Sequence, residues 1–174
     1  MKRLSALAAV LAFLAAGCGS SSSSTTAPTT NANPVFTASL SPANEVPPVV
    51  NAESGVSGTA NITLVTTKDA AGNITAATAT FGVTLGGFPS TSVVNIAHIH
   101  EGGPACACPV VVNTTLAAGQ VTVSNGLASF TREGIPVDAA VAQRIVANPG
   151  NFYFNVHSAL NPGGVARGVL VKTQ

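Results

Sequence analysis

The strongest constraint on what this chain can fold into is a series of short, turn-bounded segments that starts near Pro34. Stretches 35–40, 56–66, 74–83, 93–100, 110–113, 120–130, 152–157 and 166–172 alternate apolar with polar residues or are rich in β-branched ones. That period of two places successive side chains on opposite faces of a strand, and Gly, Pro and Asn mark the breaks between strands. Asp69-Ala70-Ala71-Gly72-Asn73 reads as a short hairpin loop. Asn125-Gly126 reads as a tight turn that splits segment 120–130 into a hairpin. One helix is predicted, over 136–147, with Pro136 in its first turn and Val137, Val141 and Ile145 forming an apolar stripe. Asn148-Pro149-Gly150 ends it. The expected fold is all-β, a Greek-key β-sandwich or barrel over residues 34–174 with one short connecting helix.

The residues before Pro34 read as an address and a tether. Lys2 and Arg3 precede a short apolar run that ends in Leu14-Ala15-Ala16-Gly17-Cys18. Small residues just before a cysteine resemble the lipobox of bacterial lipoproteins. Residues 1–17 are therefore expected to be a lipoprotein signal peptide, with Cys18 the lipidated residue. Residues 18–33, including Ser20 to Ser24, carry no charge and no apolar pattern, so they suit a disordered Ser/Thr-rich tether. The expected location is the bacterial cell envelope, lipid-anchored, and Gly19 in place of Asp favours the outer membrane.

Charge is scarce, at 7% of residues. Without Lys2 and Arg3 the chain has five Lys/Arg against six Asp/Glu, a net charge near −1. Such a chain offers no electrostatic footprint for nucleic acid. The chain has no Trp, which argues against an aromatic stacking platform. The expected partners are the membrane, through the anchor, and an envelope or extracellular protein of unknown identity.

The three histidines occupy two strand-like motifs, Ala97-His98-Ile99-His100-Glu101-Gly102 and Asn155-Val156-His157-Ser158. In a strand His98 and His100 stand side by side, a two-nitrogen pincer suited to copper or zinc, with His157 as a possible third arm. Equal parity with Val94 and Ile96 supports the alternative, ordinary strand histidines on a face that starts apolar. Glu101 is either an outer carboxylate orienting an imidazole or loop charge. Cys106 and Cys108 are open to three readings: a local disulfide, soft copper(I) ligands, or intermolecular bridges. Ser158 is no nucleophile for His157, because strand neighbours face opposite ways, and no other catalytic constellation is present in the sequence.

The order of motifs resembles the CHRD domain, the module repeated in chordin and found singly in bacterial envelope proteins. The resemblance rests on Phe36-Thr37-Ala38-Ser39-Leu40-Ser41-Pro42-Ala43-Asn44-Glu45-Val46-Pro47-Pro48-Val49, Gly58-Thr59-Ala60, Ala97-His98-Ile99-His100 and Pro109-Val110-Val111-Val112. It ends with Phe152 to His157 and Asn161-Pro162-Gly163-Gly164-Val165-Ala166-Arg167-Gly168. The resemblance implies a β-barrel similar to that of copper–zinc superoxide dismutases. It aligns His98, His100 and His157 with copper ligands, and Arg167 with an anion-guiding arginine. Departures from that enzyme count against dismutase activity: no fourth His, no zinc cluster and a short loop before Arg167. Glu45 and Arg167 also suit a structural ion pair. The leading expectation is a lipid-anchored binding or interaction module that is not an enzyme, the alternative a copper-binding protein with a three-His site. In the alternative, copper affinity weakens as pH falls below about 6.5, the ordinary imidazole pKa.

Overall fold

The computed structural model of the protein describes residues 33–103 and 105–174. The expected signal peptide, Cys18 and all but the last residue of the expected tether lie outside the described residues. Among the described residues nine strands form two antiparallel sheets, joined by one helix and two single 3-10 turns. Strands β1 (Val35–Leu40), β2 (Ser57–Lys68) and β3 (Ile74–Gly86) run as a meander. The chain then crosses to the second sheet for β4 (Val94–Glu101) and β5 (Val110–Asn113). It returns beside β3 as β6 (Ala128–Val137), and α1 (Ala139–Ala147) carries it back to the second sheet. There β7 (Phe152–Ser158) lies between β4 and β8 (Ala166–Val169), and β9 (Val171–Lys172) closes on β1. The sheet orders are β6-β3-β2-β1-β9 and β5-β4-β7-β8, an all-β sandwich with one short helix.

The period-two segments form the core between these sheets. Phe36, Ala38, Leu40, Ile62, Leu64, Phe81 and Val83 from one sheet meet Ala97, Ile99, Phe152, Phe154 and Val156 from the other, all buried. Phe81 and Phe154 stack across the interface at 5.7 Å. Each buried side chain of this size contributes roughly 1.5–3 kcal/mol. One side of the sandwich is laced shut: Ser41 and Arg167 exchange backbone hydrogen bonds of 3.1 and 3.3 Å, joining the end of β1 to β8. Gly168 permits this approach, because a Cβ there would lie 2.2 Å from the Ser39 carbonyl oxygen.

Three local expectations need correction. Pro136 does not start a helix; it sits in β6 opposite Thr78. Because β6 is the sheet edge, the missing N–H costs little there. The helix starts three residues later, capped by Asp138, whose side chain accepts from the Val141 N–H at 3.0 Å. It buries Val141, Ala142 and Ile145, while Val137 packs from the strand. The sixth strand lies at Ala128–Val137, after the Asn125-Gly126 turn rather than around it. That turn is tight, with Asn125 at φ 50° and Gly126 at φ 76°, and Ser124 and Leu127 exchange two 2.9 Å hydrogen bonds. The last predicted strand is two, because buried Leu170 marks the passage from one sheet to the other. Among the described residues no helix is long and apolar enough to cross a membrane.

Candidate metal centre

The sheet face turned away from the core carries an unusual set of side chains. Register pairs Ile96 with His157, His98 with Asn155 and His100 with Tyr153, and the next strand adds Arg167 opposite Asn155. A register shift between Val94 and Ile96 reverses the parity of β4. Val94 therefore enters the core with Ala97 and Ile99, and Ile96 shares the outer face with the histidines. The apolar start expected for that face comes only from Ile96, which is 38% exposed.

This outer face is buried as well, because three loops fold over it. His98, His100 and His157 are only 6–8% exposed. One nitrogen from each lies within 4.8 Å of the other two, and no carboxylate or cysteine joins the group among the described residues. His157 Nε2 and His98 Nε2 are 2.8 Å apart. The His98 ring meets the other two edge-on, each at 4.5 Å.

The far sides of two rings are held by backbone carbonyls. His157 Nδ1–H donates to the Pro162 carbonyl at 2.9 Å, and His100 Nδ1–H donates to that of Cys108. With Nδ1 protonated, Nε2 of each neutral ring is a lone pair. His98 then supplies the single proton of the Nε2···Nε2 contact. His100 Nε2 is buried with no hydrogen-bond partner among the described residues. An orphaned buried nitrogen of this kind costs on the order of 1–3 kcal/mol. Burial disfavours the charged imidazolium at all three positions. It holds the His98 pKa at about 3, with further repulsion from His157 and His100. Burial also lowers His100 and His157, outweighing the carbonyls that favour their protonated forms. Each of the three rings is therefore harder to protonate than a free histidine.

Arg167 and Glu45 flank this cluster rather than join it. The Arg167 side chain is buried, and its hydrogen bonds go to carbonyls: Nε to Asn44 at 2.7 Å and Nη1 to Cys106 at 2.8 Å. Its guanidinium carbon also lies 4.9 Å over the Tyr153 ring. Arg167 Nε approaches Glu45 Oε2 at 3.4 Å, and Glu45 Oε1 has no well-formed partner among the described residues. Burial raises the Glu45 carboxyl to about 7, against the opposing pull of Arg167 and Asn155. Gly164 makes room for that carboxyl: a Cβ there would lie 2.6 Å from Glu45 Oε2.

Glu101 turns to the helix. Its two oxygens accept from Arg144 Nε and Nη2 at 2.7 and 2.8 Å, so it orients no imidazole. Cys106 and Cys108 are joined as a disulfide, with Cα atoms 5.3 Å apart. Sequence reasoning gave no role to Glu53, which is fully buried. It accepts from Ser92 Oγ at 2.5 Å, from Ser158 Oγ and from Asn161 Nδ2 at 2.6 Å, and so ties one covering loop to the end of β7. The only signal for it was its rarity, one of six carboxylates in 174 residues. A cavity of about 560 Å³ beside the cluster is lined by Glu45, Tyr153 and Arg167 but by none of the histidines.

No curated protein matches this chain. The CHRD domain matches residues 36–170, which takes in both histidine motifs, Glu45 and Arg167 and covers most of the chain. The chain belongs to the CHRD domain family.

Proposed function

We propose that this protein is a copper-binding CHRD module held at the bacterial cell envelope by lipid on Cys18. The observation that carries the metal reading is the convergence of three buried, neutral imidazoles, with no competing carboxylate among the described residues. Oxygen-seeking cations such as calcium and magnesium find no ligands in this set. Imidazole suits copper and zinc, and copper binds such donors more tightly than zinc in the divalent series. The residues fit a metal: His100 Nε2 lacks a partner among the described residues, and His157 Nε2 is a lone pair already close to His98.

The chain's own groups do the positioning. Rigid neighbouring strands set the spacing of the rings, and the Pro162 and Cys108 carbonyls fix two tautomers. His98 moves its proton from Nε2 to Nδ1 to free the third lone pair, a change that leaves the ring neutral. Bound there, copper would supply a one-electron couple. Arg167, tied to two carbonyls, is not free to guide an anion, which favours binding over dismutase turnover. Membership of the CHRD family also supports a binding module rather than an enzyme.

Equilibrium titration with copper against a competing chelator tests this reading. One copper per chain is expected, with a loss of at least tenfold in affinity in His98→Ala and in His157→Ala. Uptake equal to that of a variant lacking all three histidines would refute it. For the anchor, Cys18→Ser is expected to abolish lipid labelling and shift the protein out of the membrane fraction. Unchanged labelling would refute that part alone. A second reading, docking to an envelope or extracellular protein, is favoured by Val50 and Leu160, which stand 90% and 54% exposed on two of the loops near the cluster. Charged substitutions at both should then reduce cross-linking in intact cells, and unchanged cross-links would remove this reading.

A further inference from the structure

The loop between β4 and β5 holds the disulfide, and the backbone of both cysteines is bonded to the outer face of the sheet. The Cys108 carbonyl accepts from His100 Nδ1–H. The Cys106 carbonyl accepts from Tyr153 Oη–H at 3.0 Å and from Arg167 Nη1 at 2.8 Å. The Cys108 N–H donates to Tyr153 Oη at 3.2 Å. Tyr153 in turn stacks on the His100 ring, centroids 4.6 Å apart and planes 8° apart. His100 is thus oriented from two directions, by a carbonyl of the disulfide loop and by a ring that the same loop holds in place.

Gly102 shows how closely this loop is built around the sulfurs. A Cβ there would lie 2.0 Å from Cys108 Sγ and 2.6 Å from Cys106 Sγ, so the disulfide rests on the glycine backbone two residues after the histidine. Both cysteines are half-buried, and Ala105, Ala107 and Pro109 around them are exposed, so the bond is within reach of a soluble thiol. The crosslink spans one residue, and the carbonyls it restrains are those that Tyr153, Arg167 and His100 use.

We propose that the Cys106–Cys108 disulfide is a redox-sensitive latch that positions His100, fixing it in the Nδ1–H tautomer with Nε2 facing the other histidines while the bond is closed. The reductant is a dithiol. One thiolate attacks a cysteine sulfur to form a mixed disulfide, and the second thiol resolves it. The products are two cysteine thiols and the oxidised, cyclic form of the reductant, with two electrons and two protons transferred. Opening the crosslink frees the loop, releases the Cys108 carbonyl from His100 and lets Nδ1 and Nε2 exchange the proton. The role in metal affinity rests on the copper reading above; the control of the His100 tautomer does not.

Two measurements test the latch. In the metal-free, oxidised protein, proton and nitrogen NMR should show slowly exchanging Nδ1–H signals from His100 and His157. Reduction with a dithiol should abolish the His100 signal, leave the His157 signal on Pro162 intact, and reverse on reoxidation. Cys106→Ser/Cys108→Ser opens the loop without supplying thiol ligands. It should bind copper 10- to 100-fold more weakly than the oxidised protein, the usual cost of losing an outer-shell partner. A His100 Nδ1–H that stays protected after reduction overturns the latch. Unchanged copper affinity in the double variant overturns its role at the metal. Failure of the oxidised wild type to take up copper refutes the metal centre instead, and the tautomer measurement still decides the latch.

Discussion

Replacing Arg167 with Met separates a structural arginine from an anion-guiding one. Met keeps an apolar stem in the buried channel and removes the guanidinium, which now donates to Asn44 and Cys106 at 2.7 and 2.8 Å. Hydrogen bonds from a charged donor contribute roughly 1.5–3 kcal/mol each. Part of this is returned, because the guanidinium no longer has to be desolvated. The Cys106 carbonyl keeps Tyr153 as a donor, while Arg167 Nε is the side-chain donor that the Asn44 carbonyl loses. Glu45 loses its nearest cation, but its pKa is already about 7, so near neutrality it takes up a proton instead of remaining an unpaired buried charge. The full 3–5 kcal/mol of a broken buried ion pair is therefore not reached. A net loss of about 3 kcal/mol is expected, equivalent to a fall in Tm of about 10 °C for a domain of this size.

The pH dependence of that loss carries more information than its size. A carboxyl whose folded pKa is raised stabilises the fold most at low pH and loses that contribution as pH rises through the folded value. Without Arg167 the folded pKa of Glu45 rises further, so the deficit should be larger at pH 8 than at pH 6. Glu45→Gln in the same background should remove the difference. Urea unfolding of the four variants at both pH values measures it. A loss below about 1 kcal/mol, or one independent of pH, would refute the assignment of Arg167 to the buried frame of the site.

The histidines give the opposite sign. Their folded pKa values lie below 6.5, with His98 at about 3, so the unfolded chain takes up protons first and stability should fall as pH drops from about 6.5 towards 3. Glu45 opposes this between 4.5 and 7 but is one group against three. Chemical denaturation at pH 7 and 5 checks it, and stability that rises on acidification would contradict the buried neutral cluster. Gly168→Ala drives a Cβ to 2.2 Å from the Ser39 carbonyl oxygen and should cost at least about 2 kcal/mol, whereas Gly163→Ala, with nothing within 4 Å, should change stability by less than about 0.5 kcal/mol. Equal effects of the two would show that the β1–β8 seam is loose. A chain beginning at Pro34 is expected to unfold cooperatively with a strand-dominated circular dichroism spectrum, and a non-cooperative transition would mean that the preceding residues contribute to the core.

The period-two segments, the Asn125-Gly126 turn and the His-x-His spacing are properties of consecutive residues, so the sequence alone determined most of the strands and the pairing of His98 with His100 on one face, but misplaced the sixth strand and read the last two as one. Pro136 misled because a proline suits the first turn of a helix and an edge strand equally, and only the sheet order shows that β6 is an edge. The bulge near Asn95 was invisible for a similar reason: an extra residue changes parity only relative to a partner strand. What the tertiary structure decided lies at longer range. It brought His157 to His98 across 59 residues, ran Glu45 beneath Gly164 and Arg167, and laid the cysteine carbonyls over Tyr153 and His100. No local pattern encodes these contacts, because the first depends on β4 pairing with the distant β7, and the others on loops closing over a sheet whose register is fixed by the core on its other side. The burial those loops impose is also what holds three imidazoles neutral, a property of the folded surroundings rather than of histidine itself.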